Sequence, residues 1–191
     1  MAKHDEDFYF NFALKLALEA GHVLKGVTFA RKTVTQKLGN WDLVTEYDRK
    51  IEDIIIGKLK QQFPEHKFIG EESTGKDLPE LTDDPTWIID PIDGTTNFIH
   101  NFPQICVVIG LSINKEMRIG IVYNPVLDQL FTARKGRGSF LNGRPLKTST
   151  VDGNDVDIMN PRAIGACNKT IVQDLRKMIN NADRQVELHQ N

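Results

Sequence analysis

The sequence is short of several things that would settle its class quickly. It has two cysteines, Cys106 and Cys167, far apart and too few for a disulfide framework. Two free thiols, with Cys106 inside an apolar run, are the simplest expectation for a cytosolic protein. No apolar run is long enough to span a bilayer, and the start, Met1-Ala2-Lys3-His4-Asp5-Glu6-Asp7, is too polar and acidic for a signal peptide. Formal charge is nearly balanced, at −2, and no basic block occurs. There is thus no electrostatic case for nucleic acid or membrane as a partner. Internal repeats and low-complexity tracts are also lacking. What remains, with 40% apolar and 26% charged residues, has the make-up of a cytoplasmic globular protein of one domain, or one domain plus a fragment.

The chemistry concentrates in one stretch, Trp87-Ile88-Ile89-Asp90-Pro91-Ile92-Asp93-Gly94-Thr95-Thr96-Asn97-Phe98. An aromatic and two β-branched residues predict a short buried strand, with Asp90 at its end and Pro91 stopping the ladder. Asp93-Gly94 predicts a tight turn, and Thr95, Thr96 and Asn97 are capping residues that predict a helix start aimed back at the same spot. Alone, such a run is an ordinary turn. Its company changes the reading. Phe68-Ile69-Gly70-Glu71-Glu72-Ser73 is a second apolar run ending in two carboxylates, and Asp42-Leu43-Val44-Thr45-Glu46-Tyr47-Asp48 opens a helix with acids. Clustered carboxylates repel, and desolvating them is costly unless a cation compensates. If these strand ends converge, they form a place for a hard cation and a phosphate.

Around this centre, Phe8, Phe12, Leu16, Ala20, Val23, Leu24 and Val27 recur at helical spacing and predict a core stripe, with His22 beside it and without a role. Residues 32–38 read as a short β segment that includes Lys37, which taken by itself is a solvated lysine. Residues 45–63 predict an amphipathic helix with Tyr47, Ile51, Ile54, Ile55 and Leu59 on one face, and Thr45 with Asp48 resembles a capping box. Residues 73–85 are acidic and hold Gly75 and two prolines, which predicts an exposed loop able to close over the carboxylates. Then strands at 105–113, 117–123 and 130–133, separated by Asn114-Lys115-Glu116, Asn124-Pro125 and Asn142-Gly143 turns, predict an antiparallel meander after helices, an α+β pattern. Gly136-Arg137-Gly138 reads as a hairpin connection. From Val151 the pattern loosens into Asp152, Asp155 and Asp157, followed by a helix carrying Ile171, Val172, Leu175 and Ile179. This gives a metal-binding α+β domain over residues 1–150 and a C-terminal region over 151–191.

The three acidic motifs, in this order, resemble those of the inositol monophosphatases, magnesium-dependent and lithium-sensitive phosphatases. The resemblance runs from the N-terminal helix to about Lys147. It implies a layered α-β-α-β-α sandwich with its second half incomplete, a Mg2+ cofactor, an inositol phosphate as small-molecule substrate and a homodimer. It implies that Glu71, Asp90 and the Ile92 carbonyl hold one metal and that Asp90 and Asp93 hold a second. Asp93, Gly94 and Thr95 would bind substrate, Thr95 with Asp48 would position the attacking water beside Glu71, and Lys37 and Glu72 would lie near the metals. A later Trp-Asp motif and a Gly-Ser-Ala-type turn of that family do not occur here. Two readings stay open: an inositol monophosphatase, or a truncated, impaired chain acting as a binding partner of a full-length phosphatase.

Overall fold

A computed structural model describes residues 6–36, 43–74 and 80–146. Lys37, Asp42, Cys167, the Asp152–Asp157 segment, the helix expected after it and the boundary expected at residue 150 lie outside the described residues.

Helix α1 (Glu6–Val27) starts with Glu6 and Asp7, whose charge suits the positive end of the helix dipole. Those acids also clamp the helix to the sheet. Arg118 binds Glu6 through Nε at 3.0 Å and Nη2 at 2.6 Å, while Arg134 and Arg137 both bind Asp7. The buried seam of α1 is Tyr9, Ala13, Leu16, Ala17, Ala20, Gly21 and Leu24. The expected stripe is therefore rotated by about one residue, and Phe8 stands 43% exposed at its edge. Small residues take the seam because the sheet comes close. A Cβ on Gly21 would lie 2.4 Å from the Tyr123 ring.

β1 (Val34–Gln36) and β2 (Leu43–Thr45) form an antiparallel pair. Residues 43–45, expected to open a helix, are thus a strand, and helix α2 (Glu46–Gln62) begins after them. The expected capping box is present: the Thr45 hydroxyl accepts from the Tyr47 amide, and Asp48 accepts from the Thr45 amide at 2.8 Å. On α2, Ile51, Ile55, Ile56 and Leu59 are buried, and so are two carboxylates, Asp48 and Glu52.

The main sheet runs in the order β3 (Lys67–Gly70), β4 (Thr86–Asp93), β5 (Cys106–Ile113), β6 (Glu116–Asn124), β7 (Gln129–Arg134), β8 (Gly138–Leu141) and β9 (Arg144–Pro145). From β4 onward every pairing is antiparallel, as the turn signals predicted. β3 lies outside the expected antiparallel meander: it pairs parallel with β4 and makes the sheet mixed. Alternation then sorts the faces. Rows Trp87–Leu111–Ile119 and Ile89–Ile109–Ile121 meet α1 and α2 in one apolar core. Ile88, Asp90, Val108 and Val122 alternate with them and point to the other face, where they are half-buried. The base of this core is aromatic: Trp87 Nε1 donates to His66 Nδ1 at 3.0 Å, and Phe63 stacks on both rings.

The close approach at Gly21 gives a paired test. Gly21→Ala should lower the melting temperature, because about 1–3 kcal/mol of overpacking against Tyr123 exceeds the gain in helix propensity. Gly26→Ala, where nothing lies within 4 Å, should raise it through a gain of about 0.4–1 kcal/mol. Thermal unfolding of both variants reads the two signs.

Candidate functional site

The site is built at the C-terminal ends of β3 and β4. Their register pairs Gly70 with Ile89, so the next residues, Glu71 and Asp90, come out side by side. The Glu71 amide continues the ladder by donating to the Ile89 carbonyl at 3.0 Å. Pro91 does not end β4 as expected. The strand continues to Asp93, but its pairing with β5 skips Pro91 and Ile92 and resumes at Asp93 opposite Cys106. Proline has no N–H to give the ladder, so the chain bulges there. The bulge is held by the Asp90 side chain, whose Oδ1 accepts from the Ile92 amide at 3.1 Å.

Gly94 follows at φ +91°, and a Cβ on it would sit 2.8 Å from the Gln104 carbonyl. Both facts demand glycine. Gly94, not a threonine or Asn97, is the N-cap of the short helix α3 (Thr95–Ile99), and no side chain caps it. Thr95 is freed for other contacts. Its hydroxyl lies 3.3 Å from Asp48 Oδ1 and 3.1 Å from the Ile92 carbonyl, and its single proton can serve one of them at a time. Asp48 is fully buried, and its other oxygen lies 2.5 Å from the Thr45 hydroxyl. Burial raises its pKa, while hydrogen bonds from Thr45 and Thr95 oppose the rise.

Asp90, half-buried, is pushed up to about 8, first by burial and then by the Glu71 charge beside it, with Asp93 adding to the repulsion. The same surroundings keep Cys106 a neutral thiol: burial, then Asp93 and Asp90, push it up to about 11. The structure thus brings Glu71, Asp90 and Asp93 within each other's field and sets Asp48, Ile92, Gly94 and Thr95 beside them. Glu72 is next to Glu71 and is half-buried. Among the described residues no three His, Cys, Asp or Glu side chains form a ready-made metal nest. The donor set nevertheless fits a hard divalent cation, since it is all oxygen and carries a repulsion that only positive charge relieves. No member of this group lines the groove of about 430 Å³ between Met117, Gly120, Ala133 and Ser139.

Sequence reasoning missed Glu52. It is 2% exposed, and its Oε2 accepts from the Glu72 amide at 2.8 Å. The available signal was its place four residues after Asp48, on the apolar side of α2.

The raised Asp90 pKa has a stability consequence. The folded chain holds this proton more tightly than the unfolded chain, where the carboxyl titrates near 3.8. Without metal, the fold should therefore lose stability as pH rises from about 4 through about 8. Asp90→Asn cannot ionise, so its advantage in melting temperature over the parent should grow across that window, reach a few degrees and then level off. Melting curves in chelator across the window check this, and an advantage independent of pH would contradict it.

Comparison with known proteins agrees with the geometry. The chain is 52% identical over 143 residues to inositol monophosphatase 3 of Solanum lycopersicum, covering 74% of this chain and 53% of that protein. The structure of an IMPase from Thermotoga maritima superposes with a TM-score of 0.66 at 34% identity, over 73% of this chain and 53% of that one. An IMPase/NADP phosphatase complexed with Mg2+ and phosphate superposes with a TM-score of 0.65 at 26% identity, over 74% of this chain and 53% of that one. The chain spans about half the length of the curated relatives it matches. The model of the inositol monophosphatase family matches residues 5–188, and the chain belongs to that family.

Proposed function

We propose that this chain carries the metal-binding half of a Mg2+-dependent phosphatase that hydrolyses inositol monophosphates to inositol and phosphate. The observation that carries the reading is the strand register that brings Glu71 and Asp90 out side by side, with the Asp93 charge acting on Asp90 and the Thr95–Asp48 pair alongside. The relatives are named inositol monophosphatases, and one related structure is described as a complex with Mg2+ and phosphate.

In this reading Glu71, Asp90 and the Ile92 carbonyl hold one cation, and Asp90 with Asp93 holds a second. Bound Mg2+ supplies polarisation of the phosphoryl oxygens, a lowered pKa for water and charge stabilisation of the leaving oxygen. The protein's own groups do the positioning. Backbone N–H groups of Gly94 and Thr95 face the phosphate. Thr95 gives its proton to Asp48, which leaves the threonine oxygen to accept from a water and fix its approach. Asp48 stays in place because Thr45 holds its other oxygen. Glu72, next to Glu71, completes the neighbourhood as a charge near the metals.

The alternative reading is that the chain binds metal or a full-length family member without turnover. Phosphate release from inositol 1-phosphate, with and without Mg2+, decides between them. The phosphatase reading expects Mg2+-dependent release that falls at least about 100-fold in Asp93→Asn. A folded chain that binds Mg2+ or a full-length family member but releases no phosphate selects the second reading, and one that does none of these overturns both.

A further inference from the structure

We infer that Glu52 is a positioning residue that fixes the direction of Glu71 by holding the backbone of its neighbour, Glu72. The inference rests on the reading of Glu71 as a metal ligand and extends it to a residue that reading does not include. A carboxylate buried in a helix face of isoleucines is costly unless it is hydrogen-bonded, so its presence at 2% exposure calls for a purpose. Among the described residues no lysine or arginine pairs with it. What it holds is the Glu72 amide, at 2.8 Å.

That bond completes a bracket. The peptide unit before Glu71 is tied to β4, through its amide and the Ile89 carbonyl at 3.0 Å. The peptide unit after Glu71 is tied to α2, through Glu52. With both planes fixed, the Cα–Cβ bond of Glu71 has one direction, so its side chain starts from a fixed root beside Asp90. Gly70 makes the room. A Cβ there would lie 2.5 Å from the Glu52 carboxyl carbon, and Gly70 has no positive φ to explain it otherwise. Its side chain is absent so that the carboxylate of another residue can take that space. Asp48 and Glu52, four apart on one face of α2, thus serve the two halves of the site: Asp48 orients Thr95, and Glu52 orients Glu71.

The test uses the 191-residue chain with Glu52→Gln and Glu52→Leu, reading Mg2+ binding by titration calorimetry, amide exchange at Glu72 and melting temperature. Glutamine keeps an acceptor for the amide, so Mg2+ affinity should stay within about threefold of the parent. Leucine removes the acceptor and should cost about 10- to 100-fold in Mg2+ affinity, with faster exchange at Glu72. Its melting temperature in chelator should not fall, because an apolar group replaces a buried charge. A merely structural Glu52 would show the reverse, a lower melting temperature with parent-like Mg2+ affinity, and that result overturns the proposal. Should Glu52→Leu fail to fold, Glu52→Asp, one methylene short of the amide, must give the same loss of affinity. A parent chain that binds no Mg2+ overturns the metal reading itself and this role with it, whereas equal binding by parent and Glu52→Leu overturns the role alone.

Discussion

In a parallel strand pair the register alone decides which strand-end residues meet, and here it puts one carboxylate against another. Glu71 and Asp90 follow the paired Gly70 and Ile89, so their backbones cannot separate without breaking ladder hydrogen bonds. Everything else at the site answers that forced contact. The bulge at Pro91 and Ile92 turns the chain so that Asp93 joins the same field. The left-handed Gly94 then brings Thr95 back towards the bulge. The fold holds negative charges together at a cost that a metal ion, absent from the polypeptide itself, is suited to offset.

Helix α2 provides the dry floor under this arrangement. Ile51, Ile55, Ile56 and Leu59 join the core beneath β4, while Asp48 and Glu52 reach up from the same helix towards α3 and the end of β3. Its cap belongs to the site as well, since the Thr45–Asp48 box that starts the helix also fixes the oxygen facing Thr95. Stability and placement are here properties of one set of bonds. The aromatic base around Trp87 and His66 pins the opposite ends of β3 and β4, so the strands carry their carboxylates from a rigid root.

Much of this was legible in the sequence where the signal is local. The two long helices, the capping box, the strand before Asp90 and the hairpins at Asn114-Lys115 and Asn142-Gly143 follow from periodicity and turn chemistry, and the positive φ of those four residues agrees. What stayed hidden depends on partners. Nothing in Phe68-Ile69-Gly70 says that it will pair parallel with β4. The face of α1 is chosen by how close Tyr123 comes to Gly21, which favours alanines over Phe8. Thr95 looked like a cap because threonine often is one, but Gly94 takes that place once the Gln104 carbonyl presses against it. Glu52 reads as one more charge on an amphipathic helix until the Glu72 amide is seen above it. The convergence of Glu71, Asp90 and Asp93 was legible only as a condition, because sequence places acids at strand ends without saying which ends are neighbours.

The order of strands also distributes the entropy of folding unevenly. From β5 to β9 each strand pairs with the next through a connection of a few residues, so that part can zip up hairpin by hairpin at small loop-closure cost. The site has no such route. The bond from Thr95 to Asp48 closes 47 positions of chain, and the one from Glu72 to Glu52 closes 20, with α2 docked beforehand in both cases. Loop-closure entropy therefore favours forming the meander before the carboxylates come together. On that order a partly folded chain is a formed sheet with an unassembled acidic edge.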